Sequence, residues 1–222
     1  MAEFTSDWFT KNISNFEHIK KNLEINLGGI NNVLEIGAHE GRSTCWMIEN
    51  MLSDTGTITS VDPFANHRIN PFTGEKPTKD RTWENRFRAN TAEVLKPTQT
   101  QNVHVALSFP TLAQFIVDKK QFDFIYIDGN HCCDAVMADA VMAWSLLVPG
   151  GIMLFDDYLF EDEPDILDRG KIVIDAFCAS FFWRILVSTL PLVLVIWIAP
   201  TSSSAVFSCF PPIFSNLPAA LI

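Results

Sequence analysis

The fold of this chain is decided by one stretch, Val33-Leu34-Glu35-Ile36-Gly37-Ala38-His39-Glu40-Gly41-Arg42-Ser43. Its first residues are apolar and partly β-branched, which predicts a short buried strand. Gly37 and Gly41 follow where the chain turns and lets a ligand approach the backbone. The apolar run after Ser43 predicts a helix, whose free N–H groups and positive end suit a nucleotide-like ligand.

The glycine spacing G-x-x-x-G is neither the dinucleotide fingerprint G-x-G-x-x-G nor the phosphate loop G-x-x-x-x-G-K-[ST]. Glu35 precedes the first glycine by two residues, where a carboxylate repels a pyrophosphate but suits a cationic ligand. The wider pattern E-x-G-x-x-x-G resembles the first motif of class I S-adenosylmethionine-dependent methyltransferases, whose loop cradles the methionine part of the cofactor. The resemblance implies cofactor contacts from Glu35, Gly37, Ala38, Gly41 and Ser43. A glycine turn in another α/β protein is the alternative.

Composition limits the class of protein. At 222 residues the chain suits one α/β domain, and its 16 basic and 26 acidic residues give a net charge of −10. That charge argues against a general nucleic-acid binder but is compatible with a small-molecule substrate. Five cysteines without C-x-x-C spacing indicate a reduced, cytosolic chain without a zinc site. The first residues lack a basic region followed by an apolar core, so we expect no secretory signal.

Helical and strand-like patterns alternate along most of the chain. Helices are predicted at Trp8–Leu27, Ser43–Leu52, Thr82–Val94, Thr111–Lys120, Ala135–Leu147 and Gly170–Phe182. After the first strand, further strands are predicted at Thr57–Asp62, Asn102–Ser108, Phe122–Asp128 and Ile152–Phe155. Val148-Pro149-Gly150-Gly151 is interpreted as the stop of the fifth helix.

Two residues at strand ends are candidates for the nucleoside part of a ligand. Asp62 ends the second strand 21 residues after Gly41, where nucleotide-binding α/β folds place an acid that accepts hydrogen bonds from ribose hydroxyls. Since Pro63 follows, a turn cap is the alternative. Ser108, at the predicted end of the third strand, is expected to contact an adenine edge. The polar loop from residue 65 to 79 either borders the substrate or is a surface loop.

Three acids, Asp128, Asp156 and Asp157, fall at the carboxyl ends of neighbouring predicted strands. Carboxylates clustered there repel one another unless something positive lies between them, and such oxygen-rich sites suit Mg²⁺. A substrate hydroxyl on such a metal loses its proton more easily. His131, whose ordinary pKa lies near neutrality, is the candidate general base. A helix cap or a substrate contact is its alternative role.

The order I-D-G-x-H, then W-x-x-L-x-P-G-G, then D-D-Y resembles the metal-dependent O-methyltransferases that include the macrocin O-methyltransferase type. The motif residues are Ile127, Asp128, Gly129, His131, Trp144, Leu147, Pro149, Gly150, Gly151, Asp156, Asp157 and Tyr158. The resemblance implies that Asp128, Asp156 and Asp157 bind the metal and that His131 is the base. Some relatives carry an acid where this chain has Asn130, and that acid is a candidate base there. Because the amide of Asn130 cannot take a proton, His131 is the candidate base in this chain.

That resemblance also implies a Rossmann-like α/β fold: a seven-stranded sheet, mostly parallel with an antiparallel last strand, and helices on both faces. The implied activity is transfer of the methyl group of S-adenosylmethionine to a hydroxyl of a sugar, polyol or phenolic compound, assisted by Mg²⁺. The acceptor and the oligomeric state stay open. An NAD-dependent oxidoreductase is the first rival, and the missing G-x-G-x-x-G counts against it.

The last part of the chain contains no charged residue after Arg184. Its apolar run is either a membrane-spanning helix or two strands, Arg184–Thr189 and Leu192–Ile198, and the β-branched content favours strands. We therefore assign residues 1–199 to the methyltransferase domain and 200–222 to an uncharged apolar tail of uncertain structure. A cytoplasmic protein is expected; the alternative is a membrane-tethered, non-catalytic binding module.

Overall fold

A computed structural model describes residues 2–65, 81–158, 169–180, 185–190 and 193–198. A 3-10 helix, Thr10–Asn12, leads into the first of the helices: α1 (Ile13–Leu27), α2 (Arg42–Asn50), α3 (Arg81–Val94), α4 (Ser108–Val117), α5 (Cys133–Trp144) and α6 (Lys171–Ser180). The strands are β1 (Asn32–Ile36), β2 (Thr57–Val61), β3 (Thr100–His104), β4 (Phe122–Ile127), β5 (Leu147–Phe155), β6 (Ile185–Leu190) and β7 (Val193–Ile198).

The strands form one sheet in the order β3-β2-β1-β4-β5-β7-β6. β1 lies in the middle and pairs in parallel with β2 and β4, while β3 and β5 extend the parallel part outward. β7 pairs antiparallel with both β5 and β6. The predicted α/β fold with a parallel sheet is confirmed. Among the described helices, none is long and apolar enough to cross a membrane.

Alternation along β1 assigns the two faces of the sheet. Leu34 and Ile36 lie in a buried cluster with apolar residues of α4, α5 and α6, whereas Val33 lies in a second cluster with residues of α1 and α2. Helices therefore cover both faces, as β-strand geometry requires when neither face meets water. Glu35 shares the face of Val33, and its carboxylate is directed toward the first turn of α2.

Several predicted boundaries are wrong. β3 ends at His104, and Ser108 is the first residue of α4. Pro110 is compatible with this earlier start because it lies in the first turn of α4. Backbone N–H groups in a first turn have no partner within the helix, so the N–H that proline lacks is not missed there. α5 ends at Trp144, and residues 148–151, predicted as a helix stop, lie within β5, where the pairing with β4 shifts register. The polar loop beyond residue 65 and the tail at 200–222 lie outside the described residues.

Candidate active site

Most of the predicted site residues lie at one edge of the sheet. The glycine loop (residues 37–41) follows β1, and Asp62 follows β2. Asp128 follows β4, and Asp156 and Asp157 follow β5. Because these strands are parallel neighbours, their carboxyl ends meet along the edge at which open α/β sheets bind ligands.

The two glycines of the loop are required by close packing. Gly37 has a φ of 86°, and a Cβ added there would lie 2.0 Å from the carbonyl oxygen of Asp128. Gly41, with a φ of 84°, precedes α2, and a Cβ there would lie 2.9 Å from the ring of Phe87. Glycine is therefore the residue that lets the turn after β1 touch the turn after β4.

Asp62 fixes the glycine loop. Its Oδ2 accepts hydrogen bonds from the backbone N–H of Ala38 at 2.7 Å and of His39 at 2.8 Å, and its Oδ1 accepts one from Phe64 at 2.5 Å. His39 and Phe64 have φ values of 46° and 47°, which are strained for residues with a side chain. The carboxylate of Asp62 thus holds two residues with strained backbone, one in the glycine loop and one just after β2.

Glu35 lies behind the loop, with its side chain fully buried. Its carboxylate accepts hydrogen bonds from the hydroxyls of Ser43 at 2.6 Å, Thr44 at 2.5 Å and Ser60 at 3.0 Å. Burial raises the pKa of Glu35 to about 7, and the three hydroxyls limit the rise. Glu35 and Ser43, both expected at the cofactor, bind each other and tie the start of α2 to β2.

Ser108 has a buried partner that sequence reasoning missed. The Ser108 hydroxyl forms a hydrogen bond with the carboxyl group of Asp139 of α5, and burial raises the pKa of Asp139 to about 7. Asp139 also lies near Gly129, where an added Cβ would be 3.8 Å from Oδ2. The available signal was a lone acid among the buried positions of an apolar helix.

An acidic cluster lies at the ends of β4 and β5. The Tyr126 hydroxyl is 3.1 Å from Oδ2 of Asp128 and also contacts Asp156, so one hydroxyl proton serves two carboxylates. Burial and then the neighbouring carboxylates raise the pKa of Asp128 well above its ordinary value. Burial and then Asp157 raise the pKa of Asp156. The cluster therefore favours an added proton or cation.

His131 lines the same crevice as the acids. Its Nδ1 lies 3.0 Å from Oδ2 of Asp157, whose backbone is itself strained with a φ of 52°. Asp128, Asn130 and Asp156 line the crevice with them, and Phe155 and Ile174 supply apolar walls. In the described part of the chain, no group of three or more histidine, cysteine, aspartate or glutamate side chains is arranged to hold a metal ion.

The N-terminal segment (residues 3–12) joins the glycine loop to the acidic cluster. The buried carboxylate of Glu40 accepts hydrogen bonds from the N–H of Thr5 at 2.6 Å and its hydroxyl at 2.8 Å. The Trp8 ring packs on His39 with centroids 5.1 Å apart. At the other end, Nδ2 of Asn12 donates to Asp156 at 3.1 Å. The sequence predicts a helix over Trp8–Leu27 and gives no sign of these contacts, since they depend on the tertiary fold.

A family model described as "Methyltransferase domain" matches residues 34–158. No curated protein matched the sequence. Among solved structures, a protein from Corynebacterium glutamicum has a TM-score of 0.60 and 15% identity, with 90% of this chain and 93% of that chain covered. An O-methyltransferase from Bacillus cereus in complex with S-adenosylhomocysteine has a TM-score of 0.56 and 19% identity, covering 82% and 80%.

A further similar structure is MycE, a methyltransferase of the mycinamycin biosynthetic pathway, in complex with Mg, S-adenosylhomocysteine and mycinamycin VI. Its TM-score is 0.55 at 13% identity, and the alignment covers 96% of this chain but 54% of MycE. At these identities the structural likeness shows the shared fold alone, whereas the family match rests on the sequence between β1 and the D-D-Y motif.

Proposed function

Because the chain belongs to the methyltransferase-domain family, we propose that it transfers the methyl group of S-adenosylmethionine to a hydroxyl of a small molecule. The observation that carries this proposal is the meeting of the glycine loop, the acidic cluster and His131 at one sheet edge. The Bacillus cereus enzyme in complex with S-adenosylhomocysteine and MycE in complex with Mg, S-adenosylhomocysteine and mycinamycin VI support it. A sugar, polyol or phenolic acceptor is the substrate class we propose.

The cofactor would lie across the glycine loop. Gly37, Ala38 and Gly41 present backbone to its methionine part. Oδ1 of Asp62 accepts one hydrogen bond from the protein and retains acceptor capacity for a ribose hydroxyl. Ser108, held by Asp139, is the proposed adenine contact. Glu35 and Ser43 support this site from behind by fixing the start of α2.

The carboxylates of the acidic cluster are not arranged around a metal position in the described structure, but carboxylate oxygens are the ligands that a hard divalent cation takes. The oxygen atoms of the cluster come from Asp128, Asp156 and Asp157. The carboxylates of Asp128 and Asp156 share the single hydroxyl proton of Tyr126. We propose these three acids as ligands of Mg²⁺, which when bound would make the acceptor hydroxyl more acidic.

His131 is the proposed general base. Asp157, at Nδ1, orients the imidazole ring, and Nε2 would take the proton of the acceptor hydroxyl. S-adenosylmethionine would supply the methyl group: the acceptor oxygen would form a bond to the methyl carbon, and the sulfur would leave with the electron pair of the broken carbon–sulfur bond. Alignment of oxygen, carbon and sulfur supplies much of the catalysis, since the crevice converts an encounter of two molecules into a reaction within one complex.

The test is methyl transfer from isotope-labelled S-adenosylmethionine to a panel of sugars, polyols and catechols, followed by mass spectrometry, with NADH binding measured in parallel. We expect a labelled methyl ether on at least one acceptor class and no NADH binding. A folded protein that binds NADH and not S-adenosylhomocysteine would overturn the proposal in favour of an oxidoreductase. His131→Gln, with the exposed His18→Gln as the matched control, then tests the assigned base.

A further inference from the structure

Asn12, in the 3-10 helix before α1, carries an unsatisfied atom at the edge of the candidate site. Its side chain is fully buried, and Nδ2 lies 3.2 and 3.1 Å from the two carboxylate oxygens of Asp156. Its Oδ1 is buried without a hydrogen-bond partner among the described residues. Exchanging Oδ1 and Nδ2 by a half turn of the amide would bring Oδ1 against the carboxylate, and both are acceptors. The hydrogen-bond donor for Oδ1 therefore has to come from a group other than Asp156.

The surroundings of Asn12 restrict what this donor is. The Asp156 carboxylate that Asn12 contacts is an acceptor, and the Tyr126 hydroxyl beside it is already engaged with Asp156 and Asp128. Oδ1 of Asn12 needs a hydrogen-bond donor, and the neighbouring carboxylates favour a donor that carries a positive charge. A primary ammonium group meets both needs, because it is positively charged and has three N–H donors and no acceptor. S-adenosylmethionine carries one such group, at its methionine end.

The N-terminal segment places Asn12 relative to the loop that would receive that end. Thr5 is bound to Glu40 of the glycine loop and Trp8 packs on His39, while Asn12 reaches Asp156. We infer that Oδ1 of Asn12 accepts a hydrogen bond from the α-ammonium group of the cofactor, which makes Asn12 a recognition residue for its methionine end. This inference rests on the proposed function.

The test is a cycle of two variants and two ligands measured by calorimetry. The ligands are S-adenosylhomocysteine and the analogue in which hydrogen replaces the α-amino group. The variants are Asn12→Leu, which keeps the shape of the side chain, and the matched control Asn15→Leu, another buried amide about one turn further along α1. Such a cycle separates a direct contact from a general loss of affinity.

We expect wild type and Asn15→Leu to prefer the amino-bearing ligand by about 10-fold or more, the size of a hydrogen bond to a charged group. Asn12→Leu should bind both ligands equally. If Asn12→Leu unfolds, Asn12→Ala replaces it, since alanine also removes the acceptor and adds no bulk. Thermal unfolding identifies which variant is folded.

Two results would overturn the inference: a preference that persists in the Asn12 variant, even with both ligands weakened, and a wild type without preference. A preference that stays intact while Mg²⁺ affinity falls is one form of the first result, and it would assign Asn12 to the metal site instead. A wild type that binds neither nucleoside would instead refute the proposed function, so the two failures are distinguishable.

Discussion

Replacing Gly37 by alanine tests the contact between the turns after β1 and β4. The new Cβ would lie 2.0 Å from the Asp128 carbonyl oxygen and 2.7 Å from Cα of Gly129, so backbone has to move. Gly28, which ends α1 with a φ of 74°, offers a matched control because nothing lies within 4 Å of an added Cβ. Both substitutions carry the penalty of a positive φ, and only Gly37→Ala adds the clash.

The positive φ costs each variant about 1–2 kcal/mol. Overlap with packed neighbours adds about 1–3 kcal/mol at Gly37. We therefore expect Gly28→Ala to lower the free energy of unfolding by about 1–2 kcal/mol and Gly37→Ala by about 2–5 kcal/mol, up to a large part of the stability of an ordinary domain. Urea denaturation measures both. Equal losses in the two variants would refute the reasoning, because the close approach of the two turns would then be absent.

Three further predictions concern Glu35, Asp62 and His131. Since burial raises the pKa of Glu35 from 4.5 to about 7, its stabilising neutral form is fully present below pH 4.5 and is lost as the pH rises through 7. Wild type should lose about 3 kcal/mol more than Glu35→Gln between pH 4.5 and 8 in urea denaturation, and parallel curves would contradict this. Asp62→Asn should weaken S-adenosylhomocysteine binding about 10-fold or more because the loop N–H bonds are impaired, whereas the exposed Asp54→Asn should leave calorimetric affinity unchanged; equal affinities would count against the role of Asp62. His131→Gln should lower kcat about 100-fold or more with cofactor affinity unchanged, and an unaltered kcat would remove it as the base.

The sequence was sufficient for the outline of the site because its signals are local. The glycine loop follows an apolar strand, and Asp62, Asp128 and Asp156 each follow another, so parallel pairing alone brings them to one edge. The family match confirms the predicted methyltransferase class. The metal, the acceptor and the cytoplasmic location stay predictions.

The remaining parts of the site depend on which way each side chain points. Glu35 is next to the loop in sequence, but strand alternation places it with Val33 on the α2 side, where it meets Ser43. Tyr126 was predicted only as an apolar strand residue, although its hydroxyl joins two carboxylates. Asn12 lies 144 residues from Asp156, and no local pattern reports such a contact.

The most direct test of the account is calorimetric titration of S-adenosylmethionine into the full chain with and without Mg²⁺, repeated on Asp128→Asn. The account predicts that wild type binds the cofactor and Mg²⁺ and that the variant, in which one carboxylate of the acidic cluster becomes neutral, loses the metal. A folded wild-type protein that binds no S-adenosylmethionine under either condition would contradict the account.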